Sequence, residues 1–494
     1  MVELRRIDDP DAVDALVRLF LAVLGSEGAP TAADEIEVLT GRAAARVEFV
    51  GGEAGDGPAI DAVADFLRRE PPADATGPRR RPRPARRHLR GLRHGGGTAR
   101  SGGARRAVGA RRRRGAFRSE FAIGRTLRWF SLFRRYRHVL VDSLANMYAE
   151  QGMTPALIAP ALVDYSRWLE ERPRSPIHDQ VRVMGLIAAR ADGPAVHGYV
   201  AYDPLHEVYF RSTDAETRAA MGYEPVLDIV AEALDAHGFL GVKLYPPMGF
   251  RPAGNADEGV YPRRVIDDIG NGVGAELDRA LDDLYRVVGA RGACIIAHGA
   301  DSNAAGEGFG SRGDPAHWLA VFRRHPALKV CIAHFGGFDA VSAAPVGPEH
   351  PENSWEWTLG AWFEQYRQDF GGEAPVFGDI SYYSEVLAGS GEDRARYAAL
   401  LASFIDRFDP ECLHLVYGSD WMMLGAERGH ESYARTIESF LANDVGLDAD
   451  RVERIMSGNA CRLFGPADGD PARDRLERFY ETHGLDPSRL PGCA

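Results

Sequence analysis

Short apolar runs alternate with amphipathic stretches along the chain from about residue 155 onwards. Seven such runs occur, in the order PALIAPALVDY, HGYVAYDP, GFLGVKLYP, ACIIAHG, ALKVCIAHFGG, PVFGDISYYS and LHLVYGSDW. Between them lie stretches of helical periodicity at Asp179–Arg190, Pro225–His237, Glu276–Val288, Trp318–His325, Trp355–Phe370 and Asp393–Phe408. Strands that are apolar throughout and alternate with helices predict a parallel sheet. A series of seven favours a barrel over an open sheet, so the predicted fold is α/β, a TIM-like (β/α)8 barrel.

The first part of the chain has a different pattern, in which helical periodicity dominates. Asp11–Leu24 and Ala33–Leu39 carry apolar residues at helical spacing, Asp61–Arg69 is a third candidate, and residues 126–151 are helical again. We therefore divide the chain into a helical N-terminal region (1–75), an Arg/Gly-rich segment (76–117), a helical connection (118–154), a barrel (155–466) and a C-terminal tail with a short helix (467–494).

The Arg/Gly-rich segment differs from the rest in charge. Residues 79–114 contain 15 arginines and no Asp or Glu, whereas the whole chain has a net charge of −12. The segment lacks apolar periodicity, so we expect it to be disordered. Clustered arginine suits a polyanion-binding tether. An inert loop or a translation artefact is the preferred interpretation, because the near-absence of lysine indicates GC-rich coding DNA, and no nucleic-acid partner is expected.

Composition also limits the compartment and the partners. No run of about 18 apolar residues appears, so no membrane-spanning helix is expected, and the apolar N-terminal stretch is interpreted as an amphipathic helix rather than a signal peptide. The five cysteines form no CxxC pair, and their odd number argues against a disulfide framework. We predict a cytoplasmic protein that acts on a small-molecule substrate, with no membrane partner and with a homo-oligomer left open.

Polar side chains stand at the C-terminal ends of the apolar runs. Lys243 ends GVK, His298 ends IIAH, His334 ends CIAH, Asp379 follows VFG, and Asp420 ends VYGSD. The strand ends of a parallel barrel open onto one face, where active sites lie, so these groups are expected to converge. A single His in an apolar run is more often a hydrogen-bonded core residue. Two His and one Asp at matching strand ends suit Zn²⁺ or a similar divalent ion.

Five segments resemble successive signatures of the amidohydrolase superfamily, in its amidohydrolase-related branch. They are GVKLYPPMGFRPAGN, IIAHGADSN, VCIAHFGGFD, LVYGSDW and GNACRLFG, and they follow the family's order within roughly residues 155–465. The resemblance implies a metal-dependent hydrolase that acts on an amide, ester, lactone or similar C–N or C–O bond. Some relatives decarboxylate or hydrate their substrates instead. The implied cofactor is a divalent metal ion, with Zn²⁺ as the first choice.

The same resemblance implies roles for three residues. His298 is expected to bind the metal, and His334 is expected to be a second ligand or a catalytic base. Asp420 is expected to bind the metal and to shuttle a proton. These roles agree with the chemistry, because a divalent ion activates bound water and a neighbouring carboxylate can accept the water proton and pass it on.

Three further residues are candidates for substrate binding. Lys243, which some relatives carboxylate to bridge two metals, is interpreted here as structural or substrate-facing. Tyr245 follows it in the KLYP sequence. Arg251 could bind a substrate carboxylate through both guanidinium nitrogens, and a structural ion pair is its alternative role.

One part of the family pattern is missing from the sequence. The first strand of the family ends in an HxH pair of metal ligands, and this sequence contains no HxH. Catalytic zinc usually has three protein ligands, so either the strand lies upstream of Met1 or the metal site is degenerate. The barrel is therefore predicted to be incomplete at strand one. A second hypothesis follows, in which a catalytically impaired barrel serves as a binding or scaffold protein.

Overall fold

The structure is a computed structural model, and it describes residues 30–42, 129, 131–170, 173–301, 304–338, 354–389, 391–465 and 469–491. All of these residues belong to one compact unit of the chain, 20–52 together with 129–494. The predicted helices Asp11–Leu24 and Asp61–Arg69 and the Arg/Gly-rich segment 76–117 lie outside the described residues.

Parallel pairing organises the strands. Six of them form one sheet in sequence order from β3 to β8, and β1 pairs with β2. A parallel bridge between Ala161 and Tyr199 joins the segment after β1 to the outer edge of β3. The predicted parallel order of the seven apolar runs is therefore confirmed. The strands are β1 (Leu157–Ile158), β2 (Ala195–Val196), β3 (Tyr199–Ala201), β4 (Gly241–Leu244), β5 (Cys294–His298), β6 (Lys329–Ala333), β7 (Val376–Asp379) and β8 (Leu415–Val416).

Helices lie between β1 and β2 and between each pair of successive strands from β3 to β8, as parallel pairing requires. Each of the six helical stretches predicted between the apolar runs overlaps a helix of the structure. The α-helices are α1 (Ala32–Leu39), α2 (Arg137–Glu150), α3 (Ser166–Leu169), α4 (Ile177–Ala188), α5 (Pro204–Ser212), α6 (Ala215–Met221), α7 (Val226–Ala236), α8 (Arg263–Ile269), α9 (Val273–Ala290), α10 (Leu319–Arg324), α11 (Trp355–Phe370), α12 (Ser384–Ala388), α13 (Gly391–Phe408), α14 (Trp421–Leu424), α15 (Tyr433–Ser439), α16 (Ala449–Glu453), α17 (Asn459–Phe464) and α18 (Pro471–His483).

Side chains that alternate along the strands enter two separate cores. One set packs against the surrounding helices and includes Val242, Ile295 and Val330, all fully buried. The other set fills the inside of the barrel and packs against α18; it contains Tyr199, Cys294, Cys331, Phe377 and Val416, with Leu476, Phe479 and Tyr480 from the helix. Helix α18 therefore closes the end of the barrel at which the strands begin, and the opposite end stays available for a site.

The sheet is open at β8, which pairs only with β7 among the described strands. Helix α2 contacts elements on both sides of this opening. The Tyr148 hydroxyl lies 2.8 Å from that of Tyr417, which follows β8. Asp142 pairs at 2.9 Å with Arg190, just after α4. A helix thus stands beside the sheet edge, in agreement with the prediction of a barrel that is incomplete at strand one.

Three cysteines, Cys294, Cys331 and Cys412, are free and buried. Cys461 is disulfide-bonded, so the expectation drawn from the odd number of cysteines does not hold for this residue. Within the described residues, no helix combines the length and apolar character needed to cross a membrane.

The buried histidine at the base of the barrel predicts acid sensitivity. The His197 ring contacts the Gly238 carbonyl at 2.7 Å and the Tyr480 hydroxyl at 3.1 Å. Burial lowers its pKa to about 4 from the model-compound value of 6.5. Because the unfolded chain binds the proton first as the pH falls, unfolding free energy should drop by about 3 kcal/mol between pH 6.5 and pH 4.

Urea denaturation at several pH values measures this loss. His197→Gln should remove about 3 kcal/mol of the loss in that interval, whereas His178→Gln, at a side chain that is 45% exposed, should leave it unchanged. If the unfolding free energy fell equally steeply with falling pH in His197→Gln and in the unmodified protein, His197 would not be the source of this loss.

Candidate active site

Adjacent parallel strands carry the polar residues predicted from the sequence to one mouth of the barrel. Lys243 lies in β4, His298 is the last residue of β5, and His334 directly follows β6. Asp379 is the last residue of β7, and Asp420 begins the turn into α14 after β8. Since neighbouring parallel strands end at the same side of a sheet, these five residues come together as the sequence predicts.

A left-handed turn positions His334 after β6. His334 and Phe335 have φ angles of 61° and 46°, and Gly336 and Gly337 continue the turn with 73° and 77°. Side chains with a Cβ rarely adopt this conformation, so tertiary contacts must hold it. Phe335 is fully buried, and it occupies the space beside Gly378 of β7, where a Cβ atom would lie 2.3 Å from the ring.

The Asp379 carboxylate links the ends of β6 and β7. Its Oδ1 accepts the backbone N–H of His334 at 2.9 Å and that of Ser381 at 3.1 Å. The Ser381 hydroxyl donates to the same oxygen and lies 2.9 Å from Nδ1 of His334. Asp379 and Ser381 are both 5% exposed, so this group of three residues forms a buried wall of the mouth.

Aromatic rings form a second wall. Tyr245 stacks on His298 with 4.2 Å between ring centroids and 17° between the planes. Tyr165, which follows the Ala161 bridge, packs edge-on against Tyr245 at 4.9 Å. His298 and His334 meet edge to face at 4.8 Å. These rings form a continuous series from the segment after β1 to the end of β6. They leave a partly apolar surface beside the ionisable groups.

The ionisable groups of the mouth influence one another. Burial, reinforced by His334 and Lys243, holds the pKa of His298 well below its usual value, so its ring is neutral. Burial lowers the pKa of Lys243, while Asp379 and Asp420 oppose the shift. Desolvation of the Asp420 carboxyl within the mouth raises its pKa, and His334 and Lys243 oppose that rise.

Arg251 has a different environment from the other predicted substrate contacts. Its guanidinium pairs with Glu258 at 2.6 Å, within a loop that Asn255 organises by accepting the backbone N–H of Arg251 at 2.8 Å. The ion pair named as the alternative role for Arg251 is therefore present. The ammonium of Lys243 makes no hydrogen bond or close ion pair to a described residue, and it is the only cationic side chain from a strand that faces this mouth within the described barrel.

Ser381 and Tyr165 belong to the mouth but were missed in the sequence. Alternation along a strand places residues i and i+2 on the same side, so the Asp379 assignment already implied that Ser381 would face the mouth. The sequence contains less indication that Tyr165 would lie at the mouth. It stands four residues beyond the Ala161 bridge, in a loop without the alternating pattern of a strand.

The predicted metal-binding side chains at the mouth do not by themselves form a complete catalytic zinc site within the described part of the chain. These residues include no group of three or more His, Cys, Asp and Glu arranged to hold a metal ion. His298 stacks on Tyr245, and the Nδ1 atom of His334 already contacts Ser381. A catalytic zinc ion usually takes three protein ligands, so the described set does not fit the metal that the sequence resemblance implies.

A parallel barrel with ionisable residues at its strand ends defines a protein of the TIM-barrel class. A sequence profile of the family described as amidohydrolase matches residues 214–465, just over half of the 494 residues. The chain belongs to the amidohydrolase family. The matched span begins at the N-cap residue of α6 and includes every strand from β4 to β8.

Solved structures show a weaker overall likeness, and no curated protein matches the sequence. An amidohydrolase II is 14% identical, with 65% of this chain and 87% of that chain covered at a TM-score of 0.38. A probable 2-pyrone-4,6-dicarboxylic acid hydrolase from Acinetobacter baumannii is 14% identical, with 66% and 88% covered at 0.37. A 4-oxalomesaconate hydratase from Rhodopseudomonas palustris is 15% identical, with 62% and 74% covered at 0.33.

The link through Asp379 can be tested by its effect on stability. Asp379→Ala removes the acceptor of three hydrogen bonds and leaves their donors buried, so the unfolding free energy should fall by about 3 kcal/mol. Asp379→Asn keeps an oxygen at the Oδ1 position and should lose about 1 kcal/mol. Urea denaturation at pH 7 compares the two variants, and equal losses would show that the hydrogen bonds do not determine the stability of this region.

Proposed function

We propose that the chain is a hydrolase that acts on a C–N or C–O bond of a small molecule at the barrel mouth. The observation that carries this proposal is the convergence of Lys243, His298, His334 and Asp420 from the ends of β4, β5, β6 and β8. Membership of the amidohydrolase family supports the reaction class. The mouth lies opposite the end that α18 fills, which supports access by a small substrate from that side.

Asp420 is the proposed proton acceptor. Its carboxylate accepts no hydrogen bond from a described residue, whereas the oxygen of Asp379 is occupied by three donors. Its backbone is left-handed, with φ of 49°, a conformation that is found preferentially at functional sites. Its carboxylate takes a proton from the attacking water and gives it to the leaving group. His334, which interacts with Asp420 electrostatically, is a second acceptor.

Lys243 and Tyr245 are the proposed substrate contacts. The Lys243 ammonium makes no hydrogen bond or close ion pair to a described residue, so it is available for a negatively charged or carbonyl oxygen of a substrate. Tyr245 lies between Tyr165 and His298, so its ring belongs to the aromatic wall of the same mouth. Arg251 is left out of this set, because Glu258 already neutralises it.

Removing the Asp420 carboxylate should abolish most of the turnover. General acid–base catalysis contributes about 100-fold to 10,000-fold, so Asp420→Asn should lower kcat by at least about 100-fold on an ester, lactone or amide found by screening. Asp450→Asn, at an exposed position of α16, is the matched control and should keep full activity. Full turnover by Asp420→Asn would remove Asp420 from the proposed mechanism.

A second candidate is a binding protein that keeps the barrel without catalysis. The observation that favours it is the lack of a three-donor metal group among the residues that the structure describes. In this alternative, the mouth holds a small anionic ligand through Lys243, and the aromatic wall supplies apolar contact.

The metal content of the purified full-length chain distinguishes the two candidates. For the binding protein, elemental analysis after dialysis should find well below one zinc or manganese ion per chain. Near-stoichiometric metal that is retained in the unmodified protein and lost in His298→Ala would count against the binding protein and would supply the hydrolase with the missing cofactor. The distant His430→Ala, in a half-buried surface turn, is the control.

A further inference from the structure

We infer that Ser381 is a positioning residue that holds His334 in the tautomer protonated on Nδ1, which leaves Nε2 as a proton acceptor at the mouth. The inference deepens the proposed function and rests on it in one respect, namely that the mouth is the active site. The tautomer itself follows from hydrogen-bond geometry alone. It involves three side chains, those of Asp379, Ser381 and His334.

The Ser381 hydroxyl has a single proton, and this determines which atom donates in each of the hydrogen bonds that join His334, Ser381 and Asp379. A hydroxyl has one proton to donate and can accept with its lone pairs. Ser381 donates that proton to Oδ1 of Asp379, which also accepts two backbone N–H groups and therefore carries no proton of its own. The contact of 2.9 Å between the Ser381 hydroxyl and Nδ1 of His334 must then be donated by the imidazole.

A second contact gives the same direction independently. The backbone carbonyl oxygen of Ser381 lies 3.4 Å from Nδ1 of His334. This distance is long for a hydrogen bond, but a carbonyl oxygen can only accept. Both oxygens near Nδ1 thus stabilise a proton on that atom, and an unprotonated Nδ1 would face the lone pairs of the carbonyl.

Two attachments to the same carboxylate orient the ring. Asp379 accepts the backbone N–H of His334 directly, and it reaches the ring of His334 through the Ser381 hydroxyl. The left-handed backbone at His334 and the edge contact with His298 limit rotation further. Nε2 makes no hydrogen bond to a described residue, so its lone pair is available to a proton of water or substrate.

Side-chain nitrogen spectroscopy tests the tautomer without any substrate. Protein labelled with ¹⁵N-histidine and dialysed against a chelator is examined at neutral pH, and the His334 signals are assigned by their loss in His334→Gln. In the unmodified protein, Nδ1 should resonate as a protonated nitrogen and Nε2 as an unprotonated one. Ser381→Ala should shift both signals towards their average, because the exchange of tautomers is no longer biased by the hydroxyl. Ser381→Thr should restore the original positions.

Ser384→Ala is the matched control, because among the described residues the hydroxyl of this serine donates only to Glu385, at 3.0 Å, and the change should leave the His334 signals unchanged. If Ser381→Ala does not fold, Ser381→Cys can replace it, because a thiol is of similar size but forms only weak hydrogen bonds. The same shift of the His334 signals is then expected. A protonated Nε2 in the unmodified protein, or unchanged signals in both variants, would overturn the inference. Inactive protein with the predicted signals would instead count against the proposed function.

Discussion

The parallel hydrogen bonding of β3 to β8 is the constraint on which the rest of the structure depends. Each pairing brings one more strand end to the same mouth, so a residue's place in its strand decides whether it can join the site. The same alternation that places Val242 and Ile295 against the helices leaves Lys243 and His298 facing the mouth. The apolar packing of the strands against the helices and the polar groups of the site therefore both result from the alternation of side chains along the same paired strands.

The open edge at β8 shows how the chain protects a sheet that its described strands do not close. An unpaired edge exposes backbone groups that attract other strands. Helix α2 stands there, with Val141 and Tyr148 buried and with Tyr148 bonded to Tyr417 beyond β8. A helix cannot continue the ladder of hydrogen bonds, so it covers the edge through side chains. This contact is also close to Asp420, three residues after Tyr417.

The mouth contains two kinds of carboxylate, and their surroundings separate their roles. Asp379 is buried and receives three donors on one oxygen, so it organises the backbone and the ring of His334. Asp420 stays exposed to solvent, and its electrostatic partners are Lys243 and His334. Hydrogen bonding thus makes one of two chemically identical groups part of the structure, whereas the other accepts no hydrogen bond from a described residue.

The sequence by itself determined the order of strands and helices and the strand-end positions of Lys243, His298, His334 and Asp420, because hydrophobic periodicity is a local property. Only the tertiary structure decided how these residues are connected. Ser381 stands 47 residues from His334 along the chain, and nothing local to either residue encodes their contact. The closure of the barrel base by α18 and the cover that α2 provides at β8 were likewise invisible, since both depend on which surfaces the folded sheet leaves unpaired.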